Sequence, residues 1–545
     1  MRSDLSHKGR GEASARPDCL TNQCCAMTAL LPAYGYIVVG GGSGGAVVAR
    51  RLAERSDASV LLLEAGPSDI GIAAIADAAN WTALLGGPYD WGYRYAPQRE
   101  LNDRSIAIPR GRVLGGSSSL NAMLWYRGHP ADYDAWEAAG ATGWNFRSVL
   151  PYFQRAEDWE GGASDYRGAG GPLRIERPRD PHPIALAMLA GAAELGIPVI
   201  DDPNGATNEG ASLPNLNASY GKRWSAARGY LHPMTERNNL TIRTNALAIG
   251  LSFEGRRARA VRAIIDGAIV ETRADSEIIL ALGAIDTPRL LLTSGIGPAE
   301  ELARLGVSVI ADLAGVGENL QDHPLLMGMN FRAKAPLGPV RDNGGGGMMN
   351  WKSAAACTAP DLHAFVVQGR HANDEVAAAY DLSGDIFAMS PGLMGSASIG
   401  RMRLNSAEPG AAIELQPNFL AEPADLEALI AGLDTIVELS ATKAFADLIA
   451  APAAPDRMLS RSEKIEFIRM SCSTFFHTCG TCAMGVGERA VVDPELRVRG
   501  VEGLRIADAS VIPIIPSCNT HAPVVMIGER AADLITGMKP AEQAA

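Results

Sequence analysis

The first apolar run of the chain, Tyr36-Ile-Val-Val39, is rich in β-branched residues and stops abruptly at glycine. From Gly45 to Glu54 the apolar residues Ala46, Val47, Ala49 and Leu52 recur at helical spacing, which predicts a helix with one buried face. Val60-Leu-Leu-Leu63 is a second continuous apolar run, too short for a helix, and it ends in Glu64. Strand, glycine turn, helix and strand in this order make a βαβ unit, the opening of a doubly wound parallel sheet.

Further along, Tyr133, Asp134, Trp136 and Glu137 mark an aromatic, acidic helical stretch. From Leu240 the pattern turns to β. Leu240 to Thr244, Ala258 to Ile265 and Ile269 to Thr272 read as strands, and Glu277 to Leu282 reads as a buried strand running into Gly283. The simplest arrangement returns these strands to the first sheet. Between Phe331 and Arg461 the texture changes: 333–340 and Gly344 to Gly347 predict a mobile loop or lid, and Ala424 to Leu439 a helix. The chain closes on a predicted helix from Val524 to Thr536.

A length of 545 residues with 47% hydrophobic content supports a large core and two domains, and 59 glycines fit a loop-rich α/β enzyme. The net charge of −12 argues against nucleic acid as a partner. No run of 18 apolar residues predicts a membrane span. The first 33 residues are polar and lack the apolar core of a signal peptide, so a disordered extension and a cytoplasmic location are expected. Eight cysteines do not form a disulfide scaffold pattern. Cys479-Gly-Thr-Cys482 lacks a second close-spaced ligand pair, so it is read as structural and no metal is expected.

The candidate chemistry begins at Gly40-Gly-Gly42-Ser43-Gly44-Gly45. This GxGxxG lies between the predicted strand and helix, where glycines allow a tight turn and close approach to a pyrophosphate at a helix N-terminus. Glu64 would accept from ribose hydroxyls. The motif alone does not separate FAD from NAD. His477, set between aromatic residues and Cys479, reads either as a packed histidine or as a general base. Asp508 reads as a turn or helix cap.

Gly111 to Asp134, beginning Gly-Arg-Val-Leu-Gly-Gly-Ser-Ser-Ser-Leu-Asn-Ala-Met-Leu, resembles the first signature of the glucose–methanol–choline (GMC) oxidoreductases, and Gly283 to Gly297 resembles the second. Gly317 to Pro324 and His477 to Ile535 are similar to further family segments, so the resemblance runs from about Tyr34 to the C-terminus. It implies an α/β fold: a Rossmann-type FAD-binding domain and an α+β substrate-binding domain. The FAD-binding parts are expected at 34–180, 226–330 and 463–545, and the substrate-binding parts at 181–225 and 331–462. It also implies that Val113, Ser118, Asn121, Ala122, Met123 and Leu124 lie along the flavin and ribityl, and Trp91 and Ala248 toward the cofactor periphery and adenine. Asp508, Ala509, Asn519 and Thr520 complete the implied cofactor set. Leu120 stands where some members carry a histidine covalently linked to the flavin, which implies noncovalent FAD.

The implied reaction is oxidation of a small alcohol to the carbonyl, with hydride transfer to flavin N5 and His477 as base. Oxygen or an electron acceptor then reoxidises the flavin. Asn519 would hold the substrate oxygen. His521 is the competing residue, read as outer and structural, and an extended segment would put both on one face. His323 is read as structural, with a substrate-side role as the lesser alternative, and His129, His182, His232, His363 and His371 lack a supporting constellation. The rival within the fold is an FAD-containing lyase.

Overall fold

The computed structural model describes residues 30–538. The predicted βαβ unit is present as β1 (Ala33–Val39), α1 (Ser43–Arg55) and β2 (Val60–Leu63). They join β3 (Leu240–Arg243), β4 (Ala246–Glu254), β5 (Arg257–Ile265), β6 (Ala268–Leu280) and β7 (Leu504–Ile506) in a seven-stranded sheet. The order runs β3-β2-β1-β6-β5-β4, with β7 also paired to β6. Pairings among β1, β2, β3, β6 and β7 are parallel, whereas β4, β5 and β6 form an antiparallel meander.

The two strands expected at 269–272 and 277–282 are one. β6 is continuous over 13 residues. Its first part pairs antiparallel with β5 and alternates in exposure, while its last residues lie buried between β1 and β7. The polar residues Arg273 to Glu277 are simply where the strand passes from a half-exposed to a buried setting. The first strand also starts earlier than expected: Ala33 belongs to β1, while 1–29 of the expected extension 1–33 lie outside the described residues.

A second, antiparallel sheet has eight strands in the order Ile449–Ala454, Asn330–Ala333, Ile386–Leu393, Leu362–Val367, Met348–Trp351 and Gly210–Ser212. Pro324–Leu326 pairs with Ile386–Leu393 and with Cys472–Thr474. The sheet therefore reaches a few residues beyond the 331–462 limits read from the sequence. α2 (Gly283–Thr293) follows β6, and α3 (Pro423–Ser440) packs against the second sheet. α4 (His521–Thr536) starts three residues earlier than predicted and packs along α1.

Beyond Ala333, which ends a strand, the segment read as a lid has no regular structure but is held from three sides. Trp81 Nε1 donates to the Asn343 carbonyl at 2.8 Å, and Asn343 Nδ2 donates to the Ala122 carbonyl at 2.7 Å. Gln368 Nε2 donates to the carbonyls of Leu337 and Pro339.

Candidate active site

One cavity of about 510 Å³ runs from the β1–α1 turn to the edge of the second sheet. At one end it is formed by the glycine turn. An added Cβ at Gly44 would stand 2.1 Å from the Ala507 carbonyl oxygen and one at Gly45 1.9 Å from that of Gly40, so only glycine allows this packing. Gly42 caps α1 without a side-chain hydrogen bond, and α4 and α2 also begin on the cavity without side-chain caps. Uncapped helix N-termini of this kind suit a pyrophosphate.

Glu64 closes this end. Its carboxylate accepts from Gly41 N at 2.9 Å and Gly66 N at 2.8 Å. Burial pushes its carboxyl up to about 7, against the pull of those two backbone donors. Asp508 accepts from Gly283 N, from Thr287 Oγ1 and from Ser510 N, the last as cap of a short 3-10 helix. Its cap role and its place on the cavity wall therefore coexist.

Of the expected cofactor residues, Gly40, Gly42, Ser43, Gly44, Glu64, Trp91, Ser118, Asn121, Ala122, Leu124, Ala248, Asp508, Ala509, Asn519 and Thr520 line the cavity. Gly45, Val113 and Met123 do not. Gly45 serves the helix–strand contact just described. Val113 is fully buried beside Ile75, Leu84 and Leu120. Met123 has φ of 63° and turns its side chain into the interior, its carbonyl accepting from Asn217 N.

At the other end stands His477. Pro324–Leu326 pairs antiparallel with Cys472–Thr474, and Gln321 forms a bridge opposite Cys479, so the two chain segments run side by side through the site. This brings His323 Nδ1 to 2.9 Å from His477 Nδ1. His477 Nε2 faces Asn519 Nδ2 at 3.1 Å. Phe475 stacks on the His477 ring at 5.5 Å between centroids and 5° between planes. Asp322 accepts from the backbone N–H of His477 and of His323 and from Tyr95 OH and Thr474 Oγ1. Gln321 ties in the third segment, donating to the Pro513 carbonyl and accepting from Ile515 N.

With Asn519 Nδ2 as donor, His477 Nε2 holds its lone pair and Nδ1 carries the proton, donated to His323. Burial holds the imidazole of His477 well below its usual pKa, with His323, Arg110 and His363 adding in the same direction. His323 is pushed down to about 3 by burial and by His363. Both are neutral at physiological pH.

His323, read as structural, is in direct contact with His477. One expectation changes here. Asn519 and His521 do not share the face of a strand: Asn519 precedes α4 and His521 is its first residue. Its Nδ1 meets Ser43 Oγ at 2.9 Å, away from His477. The sequence reading also passed over Arg110, whose guanidinium donates to the Phe476 carbonyl at 2.7 Å, and the Tyr93–Asp286–Arg289 cluster at the nucleotide end. Phe365, on the cavity wall beside Phe475, was missed as well. The adjacent Asp322-His323 pair was the one local signal available. The others sit in ordinary-looking strands and loops.

Cys479 and Cys482 are buried free thiols raised well above the usual range by burial, and their backbone N–H groups bond Gln321 and Ser510. Among the described residues, no helix is long and apolar enough to cross a membrane.

The N-terminal and C-terminal family models of GMC oxidoreductase match residues 34–325 and 396–528. The chain is 37% identical to mitochondrial choline dehydrogenase of Homo sapiens, over 92% of this chain and 90% of that one. It is 35% identical to oxygen-dependent choline dehydrogenase of Brucella suis biovar 1 (strain 1330), over 93% and 96%. Among solved structures, pyridoxine 4-oxidase from Mesorbium loti superposes with a TM-score of 0.88 at 34% identity, covering 91% of this chain and 98% of that one. The chain belongs to the GMC oxidoreductase family and is an FAD-dependent oxidoreductase acting on CH–OH groups.

Proposed function

We propose that His477 is the base that takes the hydroxyl proton of a small alcohol, and that Asn519 holds the oxygen from which it comes. The observation that carries this reading is the position of His477 Nε2, 3.1 Å from Asn519 Nδ2, with both residues on the cavity wall. A neutral imidazole with its lone pair on Nε2 accepts a proton there, while the Asn519 amide donates to the oxygen as it gains negative charge. His323 holds the Nδ1 edge of the ring, so the accepting nitrogen stays turned to the cavity. Stacking on Phe475 limits ring rotation and excludes water from that side.

The glycine turn and Glu64 fit the adenosine and pyrophosphate part of FAD, and Ser118, Asn121, Ala122, Leu124, Asp508, Ala509 and Thr520 would hold the remainder. Bound FAD supplies the two-electron acceptor for the hydride. Leu120 lines the cavity and is buried, and an alkyl side chain there offers no atom for a covalent flavin link, so the cofactor is held noncovalently in this reading. The divisions 34–180, 226–330 and 463–545 for FAD binding, with 181–225 and 331–462 for substrate, belong to the same proposal. The relatives named above act, by their names, on choline and pyridoxine, and small hydroxymethyl compounds are the class proposed here. Reoxidation falls to oxygen or a separate acceptor. A cytoplasmic location is supported by the free state of all five described cysteines.

The test is anaerobic addition of an alcohol panel to the holoprotein. An alcohol oxidoreductase loses its flavin absorption band on mixing, whereas a lyase of the same fold stays yellow with every alcohol. Repeating the reaction in air with peroxide detection separates oxygen from another acceptor.

A further inference from the structure

The His477–Asn519 end of the cavity is walled by Leu124, Leu325, Met348, Phe365 and Phe475. Phe365 and Phe475 lie 5.8 Å apart between centroids, and Leu325 packs on Phe475. Met348 and Leu124 close the side next to Cys518, the residue before Asn519. The surface offered beside the base is thus mainly apolar and partly aromatic, with the neutral ring of His371, bonded to Ser390, next to Phe365.

An ammonium substrate would need a carboxylate or an aromatic cage at that place. Four carboxylates line the cavity: Glu64, Asp286, Asp508 and Glu408. Glu64 is held by Gly41 and Gly66 at the nucleotide end. Asp286 is paired with Arg289 and accepts from Tyr93 OH. Asp508 is bound by Gly283, Thr287 and Ser510. Glu408 is exposed at the tip of the hairpin formed by Arg401–Leu404 and Ile413–Gln416, which packs on α2 at the nucleotide end. Asp322, nearer to His477, is bound to its backbone N–H and spends its lone pairs on backbone and hydroxyl donors. The fixed charge close to His477 is instead the cation of Arg110. The aromatic rings in mutual contact at this end are Phe365 and Phe475, with His477 stacked on Phe475, and the cavity's Trp81, Trp91 and Tyr93 rings do not touch them.

We propose that the substrate is an uncharged alcohol whose hydroxymethyl group is carried on a flat aromatic ring, seated against Phe365 and Leu325, and that quaternary ammonium alcohols are discriminated against. This rests on the reading of His477 as the base. It also sets this chain apart from the relatives named for choline, with which it shares more than a third of its residues.

The experiment compares benzyl alcohol with choline on the FAD-loaded protein. Binding is read by perturbation of the flavin spectrum and by the shift in melting temperature, and reduction by anaerobic bleaching. Benzyl alcohol is expected to bind at least about 10-fold more tightly than choline. Phe365→Ala should weaken benzyl alcohol binding by roughly 10-fold, the scale of one lost aromatic contact surface, and narrow the preference over choline. Phe365→Leu, which keeps most of the volume, should lie between the two. Choline binding equal to or tighter than benzyl alcohol overturns the proposal, as does benzyl alcohol binding unaffected in both variants. Selective binding of benzyl alcohol with no bleaching by any alcohol would leave this selectivity standing and count against alcohol oxidation itself.

Discussion

His323 and His477 meet through their Nδ1 atoms at 2.9 Å, with ring planes 86° apart. Such a contact has room for one proton. If His477 donates it, His477 Nε2 is free to accept from a substrate, so His323 decides which nitrogen of its neighbour does the chemistry. His323 thus acts as a positioning residue. His323→Ala should slow alcohol-dependent flavin reduction by on the order of 10²-fold, the lower range for losing general-base catalysis, while FAD remains bound. His323→Asn, which can still present an oxygen to His477 Nδ1–H, should recover much of the loss. Equal rates in both variants, or a pH profile of reduction identical to the parent in His323→Ala, would show that the contact is only packing.

His477→Ala should retain FAD and lower the reduction rate by roughly 10²–10⁴-fold. Asn519→Ala should cost about 10²–10³-fold, with the loss in the reduction step rather than in substrate affinity. Loss of FAD from His477→Ala, with its visible spectrum gone, would assign that histidine chiefly to structure.

The pH behaviour follows from the direction of the histidine shifts. His323 is pushed to about 3 and His363, His371 and His521 to about 4, all by burial first, and His477 is held well below its usual value. Unfolded imidazoles take protons near pH 6.5 while these folded ones do not. The unfolded state therefore binds more protons below that pH, and folding stability falls as pH drops from about 6.5 toward 4. Above about 7.5 these groups contribute no pH dependence. Buried carboxyls held above their usual range, Glu64 and Asp132 among them, act in the opposite sense, so the histidine share is read by difference: the fall in melting temperature from pH 7.5 to 5 should be smaller in His363→Gln than in the parent, and an equal fall would contradict the burial of that ring. Flavin reduction should keep its rate down to pH 6, since His477 stays neutral there.

Glu64→Gln puts an amide group opposite two backbone donors that both point at carboxylate oxygens. One N–H must then face another N–H. FAD affinity should drop by about 10–100-fold, the scale of a disrupted charged hydrogen bond of roughly 1.5–3 kcal/mol, as measured by ultrafiltration of the holoprotein. Retention of the parent affinity would remove Glu64 from the cofactor site. Acid precipitation of the parent protein should also release all of its flavin into the supernatant, as a noncovalent cofactor requires. Yellow pellet would refute that.

Gly45→Ala places a methyl 1.9 Å from the Gly40 carbonyl oxygen, where only backbone could move. A stability loss of about 1–3 kcal/mol is expected from overpacking. Gly487→Ala, with nothing within 4 Å of the added carbon, is the control and should melt like the parent.

The βαβ unit, the glycine turn, Glu64 and the long helices were legible because their signals are local: apolar spacing, strand length and glycine between them. The family signatures made FAD and alcohol chemistry legible through the resemblance they carry. The continuity of β6 was hidden because its polar middle looks like a break until its neighbours are known. The divergence of Asn519 and His521 was hidden because helix α4 begins earlier than its apolar pattern shows.

What the sequence by itself determined was the nucleotide-binding half, through glycine spacing and apolar periodicity, while the pair His477 and Asn519 entered as candidates through the resemblance to the GMC oxidoreductases. What only the tertiary structure decided was the meeting of His323 with His477, 154 positions apart, and the apolar wall with Phe365 that faces the base. Both depend on hydrogen bonds between strands distant in the chain, Pro324–Leu326 with Cys472–Thr474 and Leu362–Val367 with Ile386–Leu393. Pairing of that kind is selected by the packing of whole sheets, and no short stretch of sequence encodes it.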